Sequence, residues 1–171
     1  MTEIHETDRN KTGGKELLRL TNDYVFKRTF AEENIDALAK FIASVTGIDV
    51  EELEAISAGD PNLHAYREGG KQGELDVRVH TKRGDIVNVE IQVKNARAFL
   101  RRIIYYNGRL FASQLDSGED YGMLHRTVTI VITDFVLIAE NNDYFNTITW
   151  YNKTSRRLIP DIQEIHVLEL P

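Results

Sequence analysis

The chain has 171 residues, of which 42% are hydrophobic and 28% are charged, and its formal net charge is −6. This length and composition predict one globular domain and exclude a disordered or fibrous chain. Because the chain has no cysteine, disulfide scaffolds, thiolate zinc sites and cysteine nucleophiles are excluded, and a reducing, cytoplasmic location is favoured. No membrane partner is expected, since the longest apolar run is 135–139 and a membrane helix needs about 20 residues.

The first residues are polar and mixed in charge, and they include the pair Gly13-Gly14. A secretory signal contains an apolar stretch and a transit peptide is rich in arginine, so neither is predicted. We expect a flexible leader over residues 1–19 and a single domain over residues 20–171.

The basic side chains are unevenly distributed. Segment 91–115 holds five of the 21 basic residues and none of the 27 acidic ones, so the remaining 16 basic and 27 acidic side chains give −11. The five are Lys94, Arg97, Arg101, Arg102 and Arg109. The acidic total disfavours non-specific coating of nucleic acid, because phosphate binding depends on the number of cations. A local basic segment still allows contact with a polyanion.

Apolar residues between positions 21 and 45 recur at spacings of three and four, which predicts a helix. The polar segment 31–34 divides it into two helices in one interpretation. Gly47 ends it, because glycine readily adopts the left-handed conformation after a helix. Segment 51–58 is compatible with either a short strand or a helical turn.

A β-hairpin is predicted over residues 74–94. Leu75, Val77 and Val79 alternate with polar residues, and the same period of two continues over 86–94. The turn between the two strands contains Gly84, which supplies a positive φ. The polar face of this hairpin carries Asp76 on the first strand and Glu90, Gln92 and Lys94 on the second.

Helical spacing returns over 96–115, and the β-branched run 127–137 predicts a buried strand. Two further strands are predicted at 145–151 and 164–168, and Tyr121 is interpreted as a packing residue. This mixed order predicts an α/β protein with a mixed α+β sheet flanked by helices.

Asp76 and Glu90 are the candidate metal ligands. Two carboxylates that converge from neighbouring strands form an oxygen-rich site that suits Mg²⁺ or Mn²⁺. An amide or ammonium beside them, from Gln92 or Lys94, positions a water molecule or stabilises charge that develops at phosphorus. The alternative is an ordinary solvated strand face with cross-strand polar pairs.

Several separated motifs occur in a specific order. They are LTNDYVFKRTF (20–30), ELDVRV (74–79), VNVEIQ (87–92), RRIIYYNGRLFASQLDSGEDY (101–121), TVTIVITDFVL (127–137) and a closing VLELP. With these motifs the chain resembles the PD-(D/E)XK nuclease superfamily, and more specifically the Rpn family of recombination-promoting nucleases and transposases. The resemblance implies a restriction-endonuclease-like αβββαβ core with extra C-terminal strands, and metal-dependent cleavage of DNA. It also leaves open that a C-terminal extension found in such proteins is missing here.

The resemblance implies that Asp76 and Glu90 are metal ligands, with the backbone carbonyl of Ile91 as a third. Gln92 occupies the position where the superfamily pattern more often has lysine. An amide carries no charge, so it does not stabilise a developing anion as an ammonium does. We infer that Lys94, one step further along the same strand face, supplies that cation.

Two other groups of residues have a candidate functional role and, for each, a structural alternative. Asp23 and Lys27 match the family's opening motif as accessory site residues, or Asp23 caps a helix. Arg102, Tyr106 and Arg109 lie on one helix face and, with Arg101, contact phosphates and stack a base. The alternative there is a surface helix whose tyrosine packs against its neighbour.

The leading hypothesis is therefore an Mg²⁺- or Mn²⁺-dependent DNA endonuclease linked to recombination or transposition. The alternative is a catalytically weak nuclease-like module for DNA binding or assembly, which the missing lysine and the net charge of −6 favour. A solvated sheet without a site is the third interpretation. DNA is the expected partner, and the oligomeric state stays open, with a homodimer as one alternative.

Overall fold

The structure is a computed structural model. It describes residues 34–53, 77–92, 98–139 and 142–170, together with Thr29. The predicted leader, the first part of the N-terminal helix and the first hairpin strand before Val77 lie outside the described residues. Everything below refers to the described ranges.

Two α-helices are described, α1 (Ile35–Thr46) and α2 (Phe99–Ala112). The glycine stop of the first helix is confirmed, since Gly47 is left-handed with φ of 71° and its N–H donates to the Ala43 carbonyl at 2.9 Å. No described helix combines the length and apolar character of a membrane span.

Five described strands form one sheet in the order β1-β2-β3-β5-β4. They are β1 (Val77–His80), β2 (Ile86–Gln92), β3 (Thr127–Thr133), β4 (Phe145–Asn152) and β5 (Arg157–Glu169). The central strands β2, β3 and β5 are parallel, while β1 and β4 pair antiparallel at the edges. This arrangement confirms the predicted mixed α+β sheet with flanking helices and extra C-terminal strands.

Two predicted strand boundaries differ by several residues from those observed, and part of the segment left open is now described. Strand β3 ends at Thr133, four residues early, because the Thr133 hydroxyl donates to the Phe135 carbonyl at 2.7 Å and turns the chain. Strand β5 begins at Arg157, well before the predicted start. In the ambiguous segment 51–58, Val50–Glu52 form a 3₁₀ turn, and Leu53 bridges to Thr81.

The helices cover opposite faces of the sheet, and each face has its own apolar cluster. Helix α1 packs on the face that contains Val87, Val89 and Ile91 of β2. Helix α2 packs on the other face through Phe99 and Ile103, against Val131, Ile165 and Val167. Every residue of β3 is buried, because both faces of this central strand are covered.

Side-chain amides, one buried and two half-buried, hold α2 in place over the sheet. Asn107 donates to the Thr129 hydroxyl at 3.0 Å and accepts from the Gln163 amide at 3.0 Å. Near the end of the helix, Gln114 donates to the Thr127 hydroxyl at 2.9 Å and accepts from the backbone N–H of His125. These bonds fix the direction and height of the helix, because an unsatisfied buried amide costs free energy.

The sheet face that contains Ile130 carries a polar chain around His166, which is 5% exposed. Arg126 donates to Glu164 Oε2 at 2.6 Å, and His166 Nε2 lies 3.2 Å from the same oxygen. The Thr147 hydroxyl lies 3.1 Å from Nδ1. The neutral Nε2–H tautomer satisfies both contacts, since it donates to Glu164 and accepts from Thr147. Burial lowers the pKa of His166 below 6.5 and outweighs Glu164, which raises it.

This lowered pKa predicts a loss of stability in acid. Well above pH 6.5 His166 is neutral in both the folded and the unfolded state and contributes no pH dependence. As the pH falls below that value, the unfolded chain takes up a proton that the folded chain resists. The free energy of unfolding then decreases by up to about 1.4 kcal/mol per pH unit, until the folded-state pKa is reached.

Urea denaturation at pH 7.5, 6.5 and 5.5 measures this effect. We expect His166→Gln to be less sensitive to acid than the wild type, and His125→Gln, which alters an exposed histidine, to keep the wild-type sensitivity. Equal sensitivity in all three proteins contradicts the assignment.

Candidate active site

Glu90 and Gln92 lie on the α2 face near the carboxyl end of β2, two residues apart on one side of the strand. Glu90 is 6% exposed, so the alternative of a solvated strand face does not describe it. It lies beside Val131 of β3 and beneath the start of α2. A carboxylate in such a position needs a cationic or hydrogen-bonding partner, because burial of an isolated charge is costly.

Arg102, in the first turns of α2, contacts both residues. Its NH2 nitrogen donates to Glu90 Oε1 at 2.7 Å and to Gln92 Oε1 at 2.8 Å. Its guanidinium also lies over the Phe99 ring, 4.9 Å from the centroid. One carboxylate oxygen and one amide oxygen therefore converge on a single cationic nitrogen.

This convergence tests whether the site suits a divalent ion. Carboxylate and amide oxygens are the hard donors that Mg²⁺ and Mn²⁺ prefer, and here they already point at one position that a positive charge occupies. Among the described residues, no group of three or more acidic or histidine side chains is placed to hold a metal by itself. The Glu90 carboxylate fits such an ion as one member of a larger ligand set, with the Gln92 amide oxygen beside it.

The carboxyl ends of the three parallel strands meet at this edge of the sheet. Gln92 lies beside Thr133, and Thr133 lies beside Glu169 of β5. Glu169 Oε1 accepts from the backbone N–H groups of Leu137 and Ile138, at 2.9 and 2.7 Å, and so holds the loop after β3 over this edge. Sequence reasoning assigned no role to Glu169, although the closing VLELP segment marks it.

The other predicted site residues on α2 lie on its outer surface. Arg101, Tyr106 and Arg109 are exposed, and Tyr106 packs edge to face on Tyr105 with 5.5 Å between ring centroids. The guanidinium of Arg109 lies 5.8 Å from the Tyr105 ring. The neighbour packing considered for the tyrosine is thus present, and Tyr106 remains 45% exposed.

Four predicted residues, Asp76, Lys94, Asp23 and Lys27, lie outside the described residues. Ile91 is described, and its side chain is buried in the cluster under α1. The role of its backbone carbonyl as a ligand stays a prediction. The packing prediction for Tyr121 is wrong, since that side chain is 83% exposed.

A surface cavity of about 570 Å³ lies at the opposite end of β2, between the turn after β1 and the loop before β3. Its walls include Asp49, Glu52, Arg83 and His125. Gly84 of that turn has a φ of 93°, and a Cβ there would lie 2.7 Å from the His125 ring. None of the predicted site residues that the structure describes lines this cavity.

The geometry thus combines a buried carboxylate at the carboxyl end of a central strand with an adjacent basic helix. No curated protein and no solved structure matches the chain significantly. The family model described as PD-(D/E)XK nuclease family transposase matches residues 20–171. Because that match covers most of the sequence, the chain belongs to the PD-(D/E)XK nuclease family transposases and has a nuclease-like function.

Proposed function

We propose that this protein is a metal-dependent DNA endonuclease that hydrolyses phosphodiester bonds. The observation that supports the proposal is the buried Glu90 carboxylate, which shares one cationic partner with Gln92 beside the start of the basic helix. The narrower resemblance to Rpn nucleases, the link to recombination or transposition and a cytoplasmic location are part of this proposal.

Asp76, Glu90 and the Ile91 carbonyl would hold Mg²⁺ or Mn²⁺. A bound divalent ion supplies positive charge that lowers the pKa of water and stabilises charge on the scissile phosphate. The Gln92 amide orients the attacking water through a hydrogen bond. Lys94, two residues after Gln92 in the sequence, would contribute the cation that glutamine lacks.

The outer face of α2 would hold the DNA strand that enters this site. Arg101 and Arg109 are eight residues apart, which is about 12 Å along a helix axis. Both are exposed, so they reach phosphates without moving. Tyr106 lies between them and offers an exposed aromatic ring to a base.

Nicking of supercoiled plasmid in the presence of Mn²⁺ or Mg²⁺ tests the proposal. We expect conversion to open-circular DNA by the wild type, none in EDTA, and none by Asp76→Ala. Absence of nicking, or nicking that Asp76→Ala leaves unchanged, would sink the proposal.

A second candidate is a nuclease-like module that binds DNA and cleaves it weakly. The specific observation in its favour is the contact of Arg102 with both Glu90 and Gln92, together with an amide in place of the usual ammonium. Calorimetric titration with Mn²⁺ separates the candidates. A bound ion without plasmid nicking supports the module, whereas binding with nicking supports the enzyme.

A further inference from the structure

The end of the β4–β5 hairpin is exposed on both faces. We define the arm as residues 150–159, which comprise the end of β4, the turn 153–156 and the start of β5. Every residue of the arm is exposed. A two-stranded ribbon without a covered face is only marginally stable by itself, so this surface is unusual.

Local hydrogen bonds nevertheless give the arm a defined shape. Trp150 pairs with Ile159, and Tyr151 with Leu158, beyond a register shift between Thr149 and Trp150. In the turn, Asn152 Oδ1 accepts from the backbone N–H groups of Thr154 and Ser155, at 3.0 and 2.9 Å. The arm is therefore a preformed ribbon.

The composition of the arm points to a polyanionic partner. Its exposed aromatic and aliphatic side chains include Trp150 at 54% and Leu158 at 65% exposure. Its charged residues are Lys153, Arg156 and Arg157, and segment 144–160 contains no acidic residue in a chain whose net charge is −6. Apolar exposure combined with one sign of charge marks an interaction surface and selects an anionic partner.

Trp150 places the arm on the same side of the sheet as α2. Its indole N–H donates to Gln163 Oε1 at 3.2 Å, and the Gln163 amide donates to Asn107 of α2 at 3.0 Å. Arg157 pairs with Asn152, two residues beyond Trp150, so both lie on the Trp150 face of the ribbon. The arm thus presents Trp150 and Arg157 on the side of the sheet that α2 covers.

The arm is at the far end of β5 from the candidate active site. Across the sheet, Glu169 aligns with Thr133 and Gln92 at the site end, whereas Gln163 aligns with Thr127 at the opposite end. The arm begins beyond Gln163, further from the site. At about 3.3 Å per residue, the path along β5 from Glu169 to Arg157 is about 40 Å. This distance corresponds to about 12 base pairs of B-form DNA.

We propose that the arm is a second DNA-binding element, which contacts duplex DNA about one helical turn from the cleavage site. The inference rests on the proposed function in that DNA is the substrate. A two-stranded ribbon fits the major groove of B-DNA, and its cations reach the flanking phosphates. The arm therefore anchors the duplex, and α2 guides the strand into the site.

The only tryptophan of the chain lies on the arm, so its fluorescence reports binding there. We would titrate the wild type with a 24-base-pair duplex in EDTA, where cleavage is not required. We expect a change of tryptophan emission that saturates with DNA. An 8-base-pair duplex is too short to reach both elements and should bind at least about tenfold more weakly.

Two matched double variants test the cations. Arg156→Gln with Arg157→Gln should weaken binding of the long duplex about tenfold and lower the salt dependence, −dlogK/dlog[salt], by about 1.8. Lys40→Gln with Lys82→Gln removes the same charge from exposed positions off the α2 face and should leave both unchanged. An equal loss in the two double variants, or DNA binding without any change in tryptophan emission, overturns the inference.

The remaining outcomes are distinct. Emission that depends on protein concentration without DNA, with a dimer in sedimentation that Trp150→Ala abolishes, assigns the arm to a second copy of the chain and overturns the inference. DNA binding through the arm with no plasmid nicking refutes the proposed enzyme and supports the arm as a DNA-binding element. Nicking by the wild type, together with arm variants that bind and cleave DNA normally, supports the proposed enzyme and refutes the inference.

Discussion

Replacement of Glu90 by glutamine is expected to reduce plasmid nicking by at least about a hundredfold. Loss of an outer-sphere partner of a metal typically costs 10- to about 100-fold, and loss of a direct ligand costs more. The amide oxygen of the variant still accepts from Arg102, and the substitution conserves volume at a site that is 6% exposed. The fold should therefore survive.

Three measurements on Glu90→Gln make the test specific. Nicking should fall, the heat of Mn²⁺ binding should diminish, and the melting temperature should stay within a few degrees of the wild type. Glu51→Gln is the matched control, because Glu51 is exposed on the 3₁₀ turn near the opposite end of β2. Nicking that survives in Glu90→Gln refutes Glu90 as a metal ligand.

Replacement of Arg102 by glutamine is expected to have opposite effects on stability and metal affinity. The variant removes the guanidinium that donates to the buried Glu90 carboxylate, which destabilises the metal-free protein by about 2 kcal/mol, a figure reduced because Arg102 is partly exposed. Removal of a positive charge 2.7 Å from Glu90 Oε1 should also tighten Mn²⁺ binding about tenfold.

Melting curves with and without Mn²⁺ check both effects in one protein. The ion should raise the melting temperature of Arg102→Gln more than that of the wild type, because a tighter ligand stabilises the folded state more. Arg109→Gln removes the same charge about two turns along α2 and should behave as the wild type. If Mn²⁺ affinity is the same in all three proteins, Arg102 does not occupy the cation position.

Much of the fold was predictable because local patterns determine it. Alternation placed Val87, Val89 and Ile91 on one face, and the structure has them in one cluster. The position of Gly47 predicted the end of α1. The extent of β5 was not predictable, because Pro160 lacks a donor and argues against a strand. Pro160 is tolerated because β4 has no paired partner for residues 160–163 at the register shift.

The sequence predicts which residues belong to the candidate site, but much less of their burial and mutual contacts. Glu90 and Gln92 follow from the period of two and the resemblance, but alternation does not distinguish a polar face in water from one beneath a helix. The contact of Arg102 with Glu90 depends on how α2 lies across the sheet. That orientation follows from buried amides such as Asn107, which no periodicity identifies.

The parallel centre of the sheet has a consequence for the timing of folding. Strands β2 and β3 are separated by more than 30 residues. The other neighbour of β3 in the sheet is β5, and β4 lies between these two strands in the sequence. Such distant pairings are slow to form, because the entropy cost of closing a long loop comes before the favourable strand contacts form. During synthesis, the alignment of Gln92, Thr133 and Glu169 across the sheet is incomplete until β5 has left the ribosome. A nascent chain therefore lacks the closed edge until β5 is in place, and the candidate site forms only then.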